Sequence, residues 1–163
     1  MCVVKSMNKR YSTPADIYRA LSYIERDDHN ICGLRGATGM ELQRPRQMQK
    51  AMLQVKNEYL KEGGRQILHL TVSFSKEEER IVNLRMALYM GYEIAGIFMA
   101  GYQTAFAVHD NTDDLHIHFI INSVSYEDGL KYGVDRKLCG LIKSWVEKKV
   151  EYLRSIQYFE NII

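Results

Sequence analysis

Three histidines, His109, His116 and His118, are the residues whose types and spacing best suit chemistry. Alternate side chains of a β-strand share one face, so His116 and His118 are expected to point the same way. Residues 104–109 are also predicted to form a strand, and the Asp-Asn-Thr-Asp-Asp run at 110–114 is typical of a turn. An antiparallel hairpin places His109 opposite His116, so the three imidazoles are expected to converge on one point.

Three histidines that leave coordination positions open to solvent or substrate are typical of a catalytic metal site. A His-x-His pair alone is more often an ordinary half-buried pair, and the third histidine at hairpin register favours the metal. Three nearby carboxylates, Asp110, Asp113 and Asp114, can orient an imidazole through its second nitrogen. Acidic residues in such a segment are, however, more often solvated turn residues.

The elements around this hairpin predict an α+β fold with a mostly antiparallel central sheet and helices packed on one side. Further strands are expected at residues 1–7 and 66–75, and helices at about 13–24, 44–63, 76–92 and 135–158. The segment 25–39 is expected to be irregular or hairpin-like. No internal repeat or linker is visible, so residues 1–163 are interpreted as a single domain.

The strand predicted at 66–75 alternates between apolar and polar residues. His69, Thr71 and Ser73 fall on the polar face, and leucine, valine and phenylalanine fall on the other. Such a strand fits a sheet that is covered by helices on one face and open to a ligand on the other. We therefore expect these three polar residues to share a surface with the histidine hairpin.

Composition narrows the class of protein. The net charge is +2, with 46% apolar and 26% charged residues, so the chain matches an ordinary globular protein. This mildly basic balance permits nucleic-acid binding without arguing for it. The three cysteines lack metal-binding spacing, and no apolar run approaches a membrane span or signal core. These features predict a cytoplasmic protein with no membrane association.

Several stretches together resemble the relaxases of plasmid mobilisation, which belong to the HUH endonucleases. Residues 107–118 with Asn122 resemble the third motif of that family, residues 69–75 its second, and residues 20–24 its first. The resemblance covers residues 1 to about 130. It implies an endonuclease and transesterase that nicks one DNA strand at an origin of transfer and so initiates conjugative mobilisation. The covalent intermediate would be a 5′-phosphotyrosyl bond.

The resemblance implies a role for each candidate residue. Tyr23 would attack the DNA, and a divalent ion, Mg²⁺ or Mn²⁺, would be held by His109, His116 and His118. The family's second motif implies that Ser73 contacts DNA near the nick. We extend DNA contact to His69 and Thr71, on the same predicted strand face, and to Asn122, and we assign orientation of the histidines to the nearby Asp113 and Asp110. Expected partners are single-stranded DNA carrying the origin of transfer, accessory mobilisation proteins and a type IV secretion coupling protein.

Alternatives remain for the nucleophile and for the function. Tyr18 and Tyr11 lie close to Tyr23 in sequence, but Tyr23 lies off the core stripe near the end of the first helix and matches the first motif. One alternative function is a non-catalytic module that binds origin DNA, with structural histidines. Another is an HUH replication initiator, in which a tyrosine after the histidine pair, Tyr126 or Tyr132, would attack. The base for the attacking tyrosine is not evident.

Overall fold

The computed structural model describes residues 1–7, 9–26, 33–110, 114–133 and 136–160. Within these residues, five strands form one antiparallel sheet in the order β1-β3-β5-β4-β2. The strands are β1 (Val3–Ser6), β2 (Arg35–Thr38), β3 (Ile67–Ser73), β4 (Thr104–His109) and β5 (His116–Asn122). The α-helices are α1 (Pro14–Ile24), α2 (Pro45–Glu58), α3 (Leu84–Phe98) and α4 (Arg136–Glu160). No helix in this described part is both long and apolar enough to cross a lipid bilayer.

Apolar side chains pack on both faces of the sheet. On one face, α3 and α4 cover the alternate apolar residues of β3, β4 and β5. On the other, α1 and α2 pack over a smaller apolar surface formed by Ala105, Ala107 and Ile120. The predicted α+β class with an antiparallel sheet is confirmed, but the helices lie on two sides rather than one. The reason is that β4 and β5 carry small and apolar residues between the polar positions of the second face.

Helix α1 has the bounds and the buried stripe that its sequence predicts. Pro14 occupies the first turn, and the Asp16 carboxylate accepts a hydrogen bond from the Thr13 backbone N–H at 2.9 Å. The stripe that α1 buries against the sheet consists of Ile17, Ala20, Leu21 and Ile24. Tyr23 lies off that stripe and is 39% exposed. Burial of the stripe therefore fixes which side of the sheet Tyr23 faces.

The helix predicted from residue 76 begins later, at Leu84. The Ser75 N–H and hydroxyl both donate to the Glu78 carboxylate, at 2.8 and 2.9 Å, which closes a short 3-10 turn at Glu78–Arg80. Asn83 then caps α3, its side-chain oxygen accepting from Met86 N–H at 3.0 Å. Two capping signals therefore follow one another, and only the second begins an α-helix.

The segment predicted as irregular at 25–39 contains the edge strand β2, which pairs with β4. Gly36 is buried there, and a side chain at its position would overlap the rings of Phe106 and Tyr92. Arg-Gly-Ala-Thr has little strand propensity, so pairing with β4 and packing of the aromatic rings onto the glycine form this strand.

Lys56 on α2 is fully buried and attaches the helix to the segment after β5. Its Nζ donates to Ser123 Oγ at 2.8 Å. Burial, with a smaller contribution from Lys131, lowers the pKa of Lys56 from its ordinary 10.5 to about 7. Near neutral pH the buried amine is therefore partly charged, and this lowers the stability of the folded protein.

Lys56→Met is expected to stabilise the protein, and most strongly below pH 7. The unfolded chain binds the lysine proton more tightly than the folded chain, so the stability of the wild type rises between about pH 7 and pH 10.5. Replacing a buried charge with an apolar side chain of similar length should add about 1–3 kcal/mol to the free energy of unfolding at pH 6.

Urea unfolding at pH 6 and pH 9 measures this difference. The advantage of Lys56→Met should shrink at pH 9, and exposed Lys50 on the same helix supplies the control variant Lys50→Met. A Lys56→Met protein less stable than the wild type at both pH values would contradict the expectation.

Candidate metal centre

The hairpin register brings the three histidines together. His109 pairs with His116 across β4 and β5, and His118 lies opposite Ala107, so all three rings share one face. One nitrogen from each ring lies within 4.8 Å of the others. The ring centroids are 4.6–5.3 Å apart. Three imidazoles at this spacing match a donor set for one divalent ion with open positions.

A second nitrogen of each ring is held by another group. His109 Nε2 lies 2.9 Å from the carbonyl oxygen of Ile24, and His116 Nδ1 lies 2.8 Å from that of Asp114. His118 Nδ1 lies 2.8 Å from His69 Nε2. Ligating histidines are typically oriented in this way by a partner on the nitrogen that does not face the metal. These contacts of the ring nitrogens therefore support a metal centre, as the spacing of the three rings also does.

The orienting groups seen here differ in kind from the predicted carboxylates. Two are backbone carbonyls and the third is the imidazole of His69. Asp110 is exposed, and its orienting role remains a prediction. Asp113 lies outside the described residues. The sequence could not indicate the carbonyls, because any residue supplies one.

His69 lies beneath the cluster and is linked to Tyr11. The His69 Nδ1 atom is 2.9 Å from the Tyr11 hydroxyl oxygen, and the ring is only 3% exposed. Burial, with nearby Lys9 and His109, lowers the pKa of His69 to about 4, so its ring is neutral near pH 7. Burial, with the charges of Asp16 and Tyr23, raises the pKa of Tyr11. Tyr11 and His69 therefore form an uncharged, hydrogen-bonded link to His118.

Tyr23 lies against the histidine cluster, on the side predicted for it. Its ring centroid is 5.6 Å from that of His118, edge-on, and 6.3 Å from those of His69 and His109. The Tyr23 side chain is partly exposed to solvent. The end of α1 thus carries a potential nucleophile beside a potential metal site.

The other candidate tyrosines are placed differently. The Tyr18 ring lies under the guanidinium of Arg46, 3.9 Å from its centre. The Tyr132 hydroxyl donates to the Phe98 carbonyl, and burial raises its pKa to about 12. Tyr126 follows the C-terminal end of β5, whereas the histidines lie at its N-terminal end. This geometry favours Tyr23 over the tyrosines that a replication initiator would use.

The residues assigned to DNA contact separate into two groups. Ser73 is half-buried and pairs with His116 across β3 and β5, so it lies beside the cluster. His69 and Thr71 lie on the same face but are buried. Asn122 is fully buried, and its amide donates to the Met52 carbonyl and the Gln103 side chain. The Asn122 amide is thus engaged within the fold, and its assignment to DNA contact stays a prediction.

A cleft of about 580 Å³ opens between residues 9–11 and α1, and Tyr23 and His69 lie in its wall. Its lining includes four cationic side chains, those of Lys9, Arg10, Arg19 and Arg26. Arg19 also pairs with Asp16 at 2.8 Å. The sequence does not indicate this cleft, because two of the cations fall in a short connection and two lie on or just after a helix.

Comparison with known proteins agrees with this geometry. The family model described as relaxase, MobA/VirD2-like, nuclease domain, matches residues 23–144. Protein rlx of Staphylococcus aureus is 30% identical over 125 residues, which cover 77% of this chain and 36% of that protein. The chain thus spans about a third of the length of this relative.

A solved structure shares the fold. It is the MobM relaxase domain (MOBV; Mob_Pre) bound to 22 nucleotides of plasmid pMV158 oriT DNA, in an Mn-bound crystal form. The TM-score is 0.60 and the identity 13%, with 92% of this chain and 85% of that chain covered. At 13% identity, the comparison shows only that the two chains share a fold.

The fold and the histidine triad define a nuclease domain of the relaxase type. The family match includes Tyr23, β3 and the whole histidine hairpin. The chain belongs to the MobA/VirD2-like relaxase nuclease domain family. The resemblance indicated by the three motifs is therefore confirmed.

Proposed function

We propose that this chain is a metal-dependent DNA relaxase that nicks one strand at an origin of transfer and thereby initiates conjugative mobilisation. The observation that carries the proposal is the position of Tyr23, a partly exposed tyrosine 5.6 Å, ring to ring, from His118 of the three-histidine cluster. Residues 1–163 would act as one relaxase domain.

The reaction is a transesterification at phosphorus. The Tyr23 oxygen would attack in line, forming a bond to phosphorus as the bond to the 3′ oxygen breaks, and the product strand leaves with a 3′-hydroxyl. The phenolic proton is lost and one proton is gained by the leaving oxygen, so the number of phosphodiester bonds is unchanged. Phenolate is a good leaving group, so the 5′-phosphotyrosyl bond retains the energy needed for rejoining.

A divalent ion, Mg²⁺ or Mn²⁺, when bound, would offset charge on a nonbridging phosphate oxygen. His109, His116 and His118 would hold it. Ser73, paired with His116, would contact the strand near the nick. Tyr23 is partly exposed and its ring contacts His118, so its hydroxyl would attack a phosphate held at the cluster.

The single strand would reach Tyr23 through the basic cleft. The cations Lys9 and Arg10 are exposed in its lining, where they can contact phosphates. The oriT DNA bound to MobM supports DNA of this kind as the substrate. Accessory mobilisation proteins and a type IV secretion coupling protein are the expected protein partners.

The test uses a pool of random single-stranded oligonucleotides labelled at the 3′ end, because a 5′-phosphotyrosyl bond retains the 3′ segment. The proposal expects label that stays on the protein through a denaturing gel with Mn²⁺ present and disappears with a chelator. DNA binding without any adduct would favour the non-catalytic module and contradict the enzyme.

Lys9→Ala combined with Arg10→Ala is expected to weaken binding of single-stranded DNA and reduce its salt dependence. For single strands, each phosphate contact contributes about −0.7 to the slope of log K against log salt. Two lost contacts should therefore make the slope of the double variant less steep by about 1.4. Fluorescence anisotropy across a salt series measures it.

Arg85→Ala on α3, at an exposed position of the opposite side of the sheet, is the matched control. If the slope of log K against log salt were unchanged in the Lys9 and Arg10 double variant, the DNA would not bind along the cleft.

A further inference from the structure

A hydrogen-bonded chain connects Tyr11 to the candidate metal ligand His118 through His69. The Tyr11 oxygen lies 2.9 Å from His69 Nδ1, and His69 Nε2 lies 2.8 Å from His118 Nδ1. His69 is buried, and both of its ring nitrogens are engaged in these contacts. The chain therefore leads from the wall of the basic cleft to the metal centre without passing through Tyr23.

The segment that carries Tyr11 is fixed to β3 on both sides. Met7 N–H donates to the His69 carbonyl at 2.8 Å, and Gln66 N–H donates to the Tyr11 carbonyl at 2.8 Å. The tyrosine ring is half-buried against the apolar cluster under α1 and α2. Its hydroxyl is thus held over His69 by the backbone and not only by its own hydrogen bond.

A neutral imidazole donates from one ring nitrogen and accepts at the other, so the chain has only two possible directions. With Nδ1 of His118 against His69, the nitrogen that His118 presents to an ion is Nε2. A ligating Nε2 has no proton, so Nδ1–H must donate to His69 Nε2. His69 then carries its proton on Nδ1, and that N–H must donate to the Tyr11 oxygen. In the opposite direction, His118 would carry a proton on the nitrogen that faces the ion.

We propose that Tyr11 is a positioning residue for the metal centre: its hydroxyl oxygen accepts from His69 Nδ1–H and so stabilises the tautomers that leave His118 Nε2 ready to bind a divalent ion. The inference rests on the proposed metal-dependent function. It assigns Tyr11 a role that differs from nucleophilic attack and explains why a second tyrosine lies so close to Tyr23.

Tyr11→Phe keeps the ring and removes only the accepting oxygen. His69 Nδ1–H would then be a buried donor without that acceptor, so the other tautomer becomes favoured and His118 is driven to carry its proton on Nε2. We expect the affinity for Mn²⁺ to fall about tenfold, at the lower end of the effect of losing a group that orients a ligand. Isothermal titration calorimetry with Mn²⁺ alone measures it, and Tyr89→Phe, on exposed α3 surface, is the control.

A tautomer measurement separates positioning from a general structural effect. In ¹⁵N spectra with Mg²⁺ bound, His69 of the wild type should carry its proton on Nδ1, and Tyr11→Phe should shift that population towards Nε2 at an unchanged melting temperature. Excess Mn²⁺ should restore adduct formation by Tyr11→Phe.

Equal Mn²⁺ affinity in the wild type and Tyr11→Phe would overturn the inference and leave the proposed function standing. A wild-type protein that binds no Mn²⁺ would overturn both.

Discussion

His118→Ala is expected to abolish Mn²⁺ binding and DNA cleavage together. The change removes one of three ring nitrogens that lie within 4.8 Å of one another, so any bound ion keeps two imidazoles at most from this cluster. The affinity for Mn²⁺ should fall by more than about a hundredfold, beyond the effect of losing a group that only orients a ligand. Calorimetry with Mn²⁺ and the oligonucleotide adduct assay measure the two losses independently.

His116→Ala is the matched second variant, since His116 is more exposed than His118 and its removal disturbs the core less. Both variants should unfold thermally within a few degrees of the wild type. Unchanged Mn²⁺ affinity in both folded variants would show that the cluster does not bind the ion.

Tyr23→Phe should eliminate the covalent adduct while leaving the fold, Mn²⁺ binding and DNA binding intact. Only the attacking oxygen is removed, and the ring keeps its edge-on contact with His118. Losing a nucleophile leaves no equivalent group in place, so we expect adduct formation to fall by at least about a thousandfold. Labelled protein on a denaturing gel is the measurement.

Tyr18→Phe and Tyr126→Phe are the controls, and both should still form the adduct. If Tyr23→Phe remained labelled and Tyr18→Phe did not, the nucleophile would be misassigned. Loss of label in Tyr126→Phe alone would favour the replication initiator, in which the tyrosine follows the histidine pair.

The histidine hairpin could be predicted because its signals are local. The alternation of a strand has a period of two, and the Asp- and Asn-rich sequence after His109 predicts a chain reversal, so the pairing of His109 with His116 could be expected. The bounds of α1 were equally predictable, since Pro14 and Asp16 mark its start and one apolar stripe fixes its buried face.

Features that depend on distant partners could not be predicted in this way. Edge strand β2 forms because β4 offers unpaired backbone and because Gly36 allows aromatic rings to approach, and neither condition is visible in the segment itself. The polar alternation of β3 indicated a surface, but His69 is buried under Tyr11 and Tyr23. Asn122 is also polar, but its side-chain amide donates hydrogen bonds to the Met52 carbonyl and to the Gln103 side chain.

The contact between His109 Nε2 and the Ile24 carbonyl restricts changes in the length of α1. Ile24 follows Tyr23 directly, so one helix end supplies both a candidate nucleophile and the group that orients a candidate ligand. Inserting a single residue into α1 upstream of Tyr23 would turn both by about 100° and advance them by about 1.5 Å. Homologous sequences should therefore tolerate insertions before Thr13 or after Arg26 far more readily than between them.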